Sequence, residues 1–233
     1  MNKLLLASTS TLFGQPYLSY LLPELKTFFH GVQCILFVPY ARPGGCSENE
    51  YTLKVRKAFA QINIDVIGLD EVSDPRAALD HAQGIFTGGG NTFLLVKRLY
   101  DLKLMDSLNL ALDRGVPYLG TSAGSNICGL GMHTTNDMPI VHPSSLMTLG
   151  RVPFNLNAHY IEPDKNSTHM GETRETRIRE FQCQQKITVV GLPEGTWLRV
   201  SDSEIYVRGQ HPAVVFKPDE TRFEVDSDSI LDL

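Results

Sequence analysis

Residues 84–126 read GIFTGGGNTFLLVKRLYDLKLMDSLNLALDRGVPYLGTSAGSN, and their parsing decides the fold. Residues 84–104 give a strand, a glycine turn and a helix. Residues 105–126 give a helix, a glycine stop, a second apolar strand and a sharp turn into a helix-like run. Strand-length apolar runs alternating with helical periods indicate βα units and a parallel sheet.

The pattern extends outward from this block. QCILFVPYA (33–41) is a continuous apolar run, as expected of a strand buried on both faces. SENEYTLKVRKAFAQI (47–62) predicts a helix with Ser47 as N-cap and Glu50 completing a capping box. NIDVIGLD (63–70) predicts a strand, and DPRAALDHAQ (74–83) a short helix with Pro75 in its first turn. KLLLAS (3–8) predicts the first strand. YLSYLLPELKTFFHG (17–31) has helical spacing that Pro23 must kink or interrupt. The rhythm predicts one α/β domain over 1–233, an open, doubly wound, mostly parallel sheet.

The second half differs. Residues 133–163 are rich in Pro, Asn, Ser and Thr with little helical period. A long irregular segment in a compact domain is usually functional. GETRETRIREFQCQ (171–184) returns to helix. KITVVGLPEGTWLRV (186–200), SEIYVRG (203–209) and HPAVVFKP (211–218) predict strands, the last as β-hairpin-type additions at a sheet edge.

Composition narrows the function classes. The chain is 42% hydrophobic and 20% charged, with a net charge of −5, which argues against a nucleic-acid binder. Cys34, Cys46, Cys128 and Cys183 have neither CxxC nor zinc-type spacing and are expected to be reduced thiols of a cytoplasmic protein. The apolar block near the N-terminus is too short for a signal peptide, and no stretch approaches a membrane span.

GTSAG, residues 120–124, is a GxSxG pentapeptide between an apolar strand and a helix-like run, the context of a nucleophile elbow. Ser122 is a candidate nucleophile and Ala123 a candidate oxyanion donor. The alternative is a serine N-cap. Gly88, Gly89 and Gly90 could aim backbone amides at an oxyanion, or form a plain βα turn. A phosphate loop fits poorly, because neither GxxxxGK[ST] nor GxGxxG is present.

A serine nucleophile needs a base, and the base an orienting acid. Among His30, His81, His133, His142, His159, His169 and His211, three fall in the irregular segment 133–163, His159 within FNLNAHYIEP. Asp137 and Glu194 are the acid candidates. Either could be a simple turn residue, although Glu194 directly follows a predicted strand, where functional groups of open α/β sheets gather.

The stretches GGGNTF, GTSAGSN, TTNDMPIV, NAHY, GETRETRIRE and GLPEGTW together resemble peptidase E, the α-aspartyl dipeptidase family, in family order over roughly residues 84–198. The resemblance implies a fold like class I glutamine amidotransferases and a serine peptidase that removes N-terminal aspartate from dipeptides, without metal or cofactor. It implies Ser122 as nucleophile and His159 as base. The family's acid has been assigned to both matching positions, here Asp137 and Glu194; Glu194 is favoured, leaving Asp137 to bind the α-ammonium or shape the pocket. Selectivity for aspartate requires a cation. Arg174 is the first choice, with Arg177 and Asn91 grouped as further substrate contacts; Arg179 is a third guanidinium on the same helix. The competing expectation is that these arginines pair with Glu172, Glu175 and Glu180 at helical spacing. The expected partner is a small acidic dipeptide, bound by a monomer or homodimer. Thr121 departs from some relatives that carry a bulkier residue, which should alter pocket shape more than chemistry. Rival expectations are a cyanophycinase-like peptidase, an α/β-hydrolase esterase, or a non-catalytic relative.

Overall fold

Strand alternation in the first half places one core on each face of the main sheet. The computed structural model describes residues 3–164, 166, 168 and 170–233. Five parallel strands form the centre: β1 (Lys3–Ala7), β2 (Cys34–Val38), β3 (Asp65–Gly68), β4 (Ile85–Thr87) and β5 (Tyr118–Thr121). Two antiparallel strands, β8 (Thr196–Ser201) and β9 (Glu204–Gly209), extend the edge beyond β1. The order across the sheet is β3-β2-β4-β5-β1-β8-β9.

Successive side chains of a strand face opposite sides. Leu4, Leu6, Leu36 and Val38 therefore meet α3 (Pro75–Asp80), α4 (Thr92–Asp101) and α5 (Met105–Asp113) through Leu79, Leu95, Leu99 and Leu108. Leu5, Ala7, Ile35 and Phe37 meet α1 (Leu22–Phe28) and α2 (Glu48–Phe59) through Leu25, Phe28, Val55 and Phe59. Each such buried side chain contributes about 1.5–3 kcal/mol relative to exposure. Helices on both faces make the sheet doubly wound, as the residue pattern predicts.

Local signals locate several helix starts. Ser47 and Glu50 form a reciprocal capping box on α2, and Asp74 caps α3 ahead of Pro75. The expected helix over 17–31 is shorter than its apolar spacing suggests. It begins only at Leu22, with Pro23 in the first turn, where a missing N–H does no harm.

The C-terminal half corrects one expectation. The β8–β9 hairpin does extend the edge of the main sheet, but β10 (Ala213–Phe216) does not join it. It belongs to a second sheet, β11-β10-β7-β6, with β6 (Asn155–Ala158), β7 (Val189–Leu192) and β11 (Phe223–Val225). β6 lies in the segment expected to be irregular, and its NLNA sequence is too polar to announce a strand. One face of this sheet packs through Leu156, Val190, Leu192 and Val215 on the core that also holds Leu4 and Leu95. The other carries Val189, Val214 and Phe216 against Tyr160 and Ile178 of α7 (Arg174–Gln184).

Among the described residues, no helix is long and apolar enough to cross a membrane. The four cysteines are free thiols, with Cys128 fully buried and Cys183 exposed. Burial pushes the Cys128 thiol up to about 12, because the thiolate is the form that desolvation disfavours. Titration of the folded protein with a disulfide reagent at pH 8 is expected to modify Cys183 and leave Cys128 untouched, whereas all four should react in guanidinium.

Candidate active site

The C-terminal ends of β4 and β5 lie side by side, and both carry glycine-rich turns. After β5 the chain turns at Ser122, whose backbone has φ 52° and ψ −111°, into the single-turn helix α6 (Ala123–Asn126). Few L-residues adopt these torsions, at a cost of about 1–3 kcal/mol. Surrounding contacts hold the turn. The Ser122 N–H donates to the Ala7 carbonyl at 3.0 Å, and the Ser122 carbonyl accepts from the Ser125 and Asn126 N–H groups, both at 2.9 Å. A Cβ on Gly120 would stand 2.4 Å from the Gly124 carbonyl oxygen, and one on Gly124 would stand 2.1 Å from that of Thr87. These contacts explain the two glycines of GTSAG.

The Ser122 side chain makes no cap hydrogen bond, so the N-cap alternative does not describe it. Its Oγ instead lies 3.0 Å from His159 Nε2, while His159 Nδ1 lies 2.7 Å from Glu194 Oε1. With the Glu194 carboxylate accepting from Nδ1–H, the Nε2 lone pair faces the serine hydroxyl, which donates to it.

His159 and Glu194 are delivered by the second sheet. β6 and β7 run parallel with Ala158 level with Leu192, so both chains leave the sheet at the same end. His159 follows β6 at φ 55°. Glu194 sits in the turn that carries the chain from β7 to β8. Buried Ser8 ties these pieces together: its hydroxyl accepts from the His159 N–H at 2.9 Å and donates to the Leu192 carbonyl at 2.7 Å. The only sequence signal for Ser8 is a Ser/Thr stretch after a strand, which does not single it out.

Asp137 is placed elsewhere. Its Oδ2 accepts from the Thr92 N–H (2.7 Å), the Thr92 hydroxyl (2.6 Å) and the Thr135 hydroxyl (3.0 Å) at the start of α4. Asn126 extends this network. It donates to Thr92 Oγ1 and Thr135 Oγ1 and accepts from the Ala158 N–H, joining the elbow helix to the strand before His159. Asn126 stands in the quoted GTSAGSN stretch, but only the tertiary contacts reveal this role.

Among the described residues, the N–H groups of Gly89, Gly90 and Ala123 donate to no protein acceptor, and a Cβ on Gly89 would fall 3.0 Å from Ser122 Cβ. Gly88 requires a correction as an oxyanion donor, because its N–H is committed to the Val38 carbonyl. Its glycine identity answers to Tyr51, whose hydroxyl would lie 2.6 Å from an added Cβ. The helix dipole adds little at Ala123, since α6 is a single turn.

Asn91 requires a second correction. It is the N-cap of α4, accepting from the Leu94 N–H, and its amide nitrogen donates to the Met138 carbonyl. Its side chain supports the loop rather than facing a substrate.

Arg174 opens α7 after the Thr173 N-cap. Of the expected helical ion pairs, only Arg179–Glu175 forms, at 3.9 Å; Arg179 also donates to the Lys217 and Glu220 carbonyls. Glu175 contacts Arg222, which also holds Glu162. Among the described residues, Arg174 and Arg177 have no carboxylate partner. Burial first, and then the Arg177 charge, lower the Arg174 pKa, while Asp137 opposes them. The two guanidiniums line a cavity of about 60 Å³ with His133, Asn136 and Asn157. Asn136 donates to the Ala158 carbonyl at 2.7 Å, which connects this cavity to the chain leading into His159. Of the remaining histidines, His30, His81, His142 and His211 are exposed, and His169 lies outside the described residues.

Asp137→Ala would strand the Thr92 N–H and loosen both threonine hydroxyls. A loss of about 1–3 kcal/mol in urea unfolding is expected.

Comparison with known proteins identifies the family. The model of peptidase family S51 matches residues 4–208. Peptidase E of Streptomyces coelicolor is 44% identical, over 99% of this chain and 95% of its own. A Drosophila melanogaster protein named "Probable alpha-aspartyl dipeptidase" is 44% identical, over 94% of this chain and 91% of its own. Among solved structures, a peptidase from an acI-B1 actinobacterium superposes with a TM-score of 0.74 at 16% identity, covering 100% of this chain and 97% of that one, and so shares the fold. The chain belongs to peptidase family S51 and is a serine-type peptidase.

Proposed function

We propose that this enzyme is an α-aspartyl dipeptidase that works through Ser122, His159 and Glu194. The reading is carried by the continuous hydrogen-bonded run from Ser122 Oγ through the His159 imidazole to Glu194, supported by two guanidiniums without a carboxylate partner among the described residues, in a cavity that Asn136 links to the chain leading into His159. The names of the relatives point the same way.

The reaction follows from these positions. The Ser122 hydroxyl gives its proton to His159 Nε2 as Oγ attacks the carbonyl carbon of the N-terminal aspartyl residue. Glu194 stabilises the resulting imidazolium and holds the ring in place. The oxyanion is received by the N–H groups of Ala123 and of Gly89 or Gly90. As the C–N bond breaks, His159 returns the proton to the leaving amine. Water then attacks the acyl-serine ester, giving one proton to His159, and departure of Oγ reclaims it.

Recognition of the substrate divides between the two walls. The side-chain carboxylate of aspartate pairs with Arg174, assisted by Arg177. A partly buried guanidinium left without an anion penalises asparagine, which offers no charge. Asp137 Oδ1 carries no hydrogen bond among the described residues, whereas Oδ2 is fully engaged, so Oδ1 is the acceptor for the substrate's α-ammonium.

Hydrolysis of Asp-Leu beside Glu-Leu, Asn-Leu and β-Asp-Leu tests the proposal. Asp-Leu alone should be cleaved, and Ser122→Ala should reduce kcat about 10⁴-fold or more. Preferred cleavage of β-linked substrates would instead indicate a cyanophycinase-like specificity. Arg174→Met should lower kcat/KM for Asp-Leu by about 10²-fold or more.

The same assay separates the two carboxylates. Glu194→Gln should lower kcat by about 10²–10⁴-fold. Asp137→Asn should act mainly on KM. A reversed pattern would make Asp137 the orienting acid.

A further inference from the structure

We propose that Ser8 is a positioning residue for the hydrolytic reaction, its hydroxyl fixing the base and the acid-bearing turn to the strand that also holds the nucleophile. The inference rests on the Ser122–His159–Glu194 reading.

Residues 7 and 8 hold the backbone of Ser122 and His159 and both flanks of Glu194. The Ala7 carbonyl accepts the Ser122 N–H at 3.0 Å and the Ser125 hydroxyl at 2.7 Å. The Ser8 hydroxyl accepts the His159 N–H and donates to the Leu192 carbonyl, and the Ser8 N–H donates to the Thr196 carbonyl at 3.0 Å. Leu192 and Thr196 stand two residues before and two after Glu194. Ser8 thus grips the acid's turn from both sides while holding the base by its backbone.

The chemistry suits a hydroxyl. One O–H donates while a lone pair accepts, so a single small side chain bridges an N–H and a carbonyl. Ser8 is fully buried, which denies both groups a ready replacement from bulk water. His159 stands at φ 55°, an uncommon region for residues other than glycine, although histidine enters it more readily than most. Release of its N–H would let the backbone relax and carry the imidazole away from its 3.0 Å contact with Ser122 Oγ. In the competing reading, Ser8 only satisfies two buried backbone groups. Its loss would then lower stability and leave the chemistry of each folded molecule intact.

The test uses Ser8→Ala, Ser8→Thr and Ser8→Cys in the full chain. Two rates are measured: Asp-Leu hydrolysis, and phosphonylation of Ser122 by a fluorophosphonate. The labelling end point counts competent sites, and thermal melts follow stability. For Ser8→Ala, kcat and the labelling rate should fall about 10–100-fold, with KM within about 2-fold and full end-point stoichiometry. Ser8→Thr, which keeps the hydroxyl, should recover to within about 5-fold of wild type. If Ser8→Ala does not fold, Ser8→Cys carries the same comparison, since its weak donor and acceptor should give an intermediate loss.

An unchanged labelling rate per folded molecule, with only a lower melting temperature, would overturn the proposal. So would a folded Ser8→Thr as impaired as Ser8→Ala. If wild type is labelled but ignores Asp-Leu, the substrate assignment fails and labelling alone still decides the role of Ser8. If wild type is neither labelled nor active, Ser122 is not an activated nucleophile and both readings fall.

Discussion

The hydrogen bond from the Ser122 N–H to the Ala7 carbonyl holds an unfavourable backbone turn at the middle of the main sheet. Left to local preference, a serine would not adopt φ 52° and ψ −111°. The parallel pairing of β1 with β5, with Ala7 level with Thr121, brings the acceptor into place. Gly120 and Gly124 allow the backbones to approach closely enough for the turn to close. The serine hydroxyl is then presented beyond the strand ends, where the helices do not cover it.

Two sheets meet at this point, and the division of labour follows from their connection. The main sheet supplies the Ser122 hydroxyl and the amides that have no acceptor among the described residues, and the second sheet supplies the imidazole and the carboxylate. The chain passes from β7 to β8 through the turn that carries Glu194, so the acid lies on the segment that joins the sheets. The level ends of β6 and β7 bring His159 within reach of it. Hydrogen bonds accepted by Ser8 and Asn126 from the His159 and Ala158 N–H groups bind this second group of strands to the first at the site itself.

The contrast between Asp137 and Glu194 shows how environment separates two similar side chains. Asp137 has one oxygen committed to Thr92 and Thr135, where it stabilises the start of α4. Glu194 is more open to solvent and has the His159 ring as its partner. The arginines divide in the same way. On and beside α7, Arg179 is bound to carbonyls and Glu175 and Arg222 to two glutamates, whereas Arg174 and Arg177 have no carboxylate partner among the described residues.

Much of this was legible in the residues. Apolar runs at 33–41 and 116–121 and the helices between them specify a doubly wound sheet, because period and burial are local properties of the chain. GTSAG between strand and helix marks the elbow, since no side chain fits at Gly120 or Gly124, family resemblance singled out His159, and placement after a strand favoured Glu194. The rest required three dimensions. The polar NLNA run becomes a strand only because a partner strand and a core accept it. Gly88 and Asn91 look like site residues until the Val38 and Met138 carbonyls are seen to occupy them. Ser8 lies 151 and 184 residues from His159 and Leu192, which its hydroxyl bridges, and no local pattern records so distant a contact. The sequence alone determined the strands and helices of the main parallel sheet and which chemical groups are available; the tertiary structure decided the second sheet and which of those groups face one another, because pairing and hydrogen bonds between remote segments exist only once the sheets have packed.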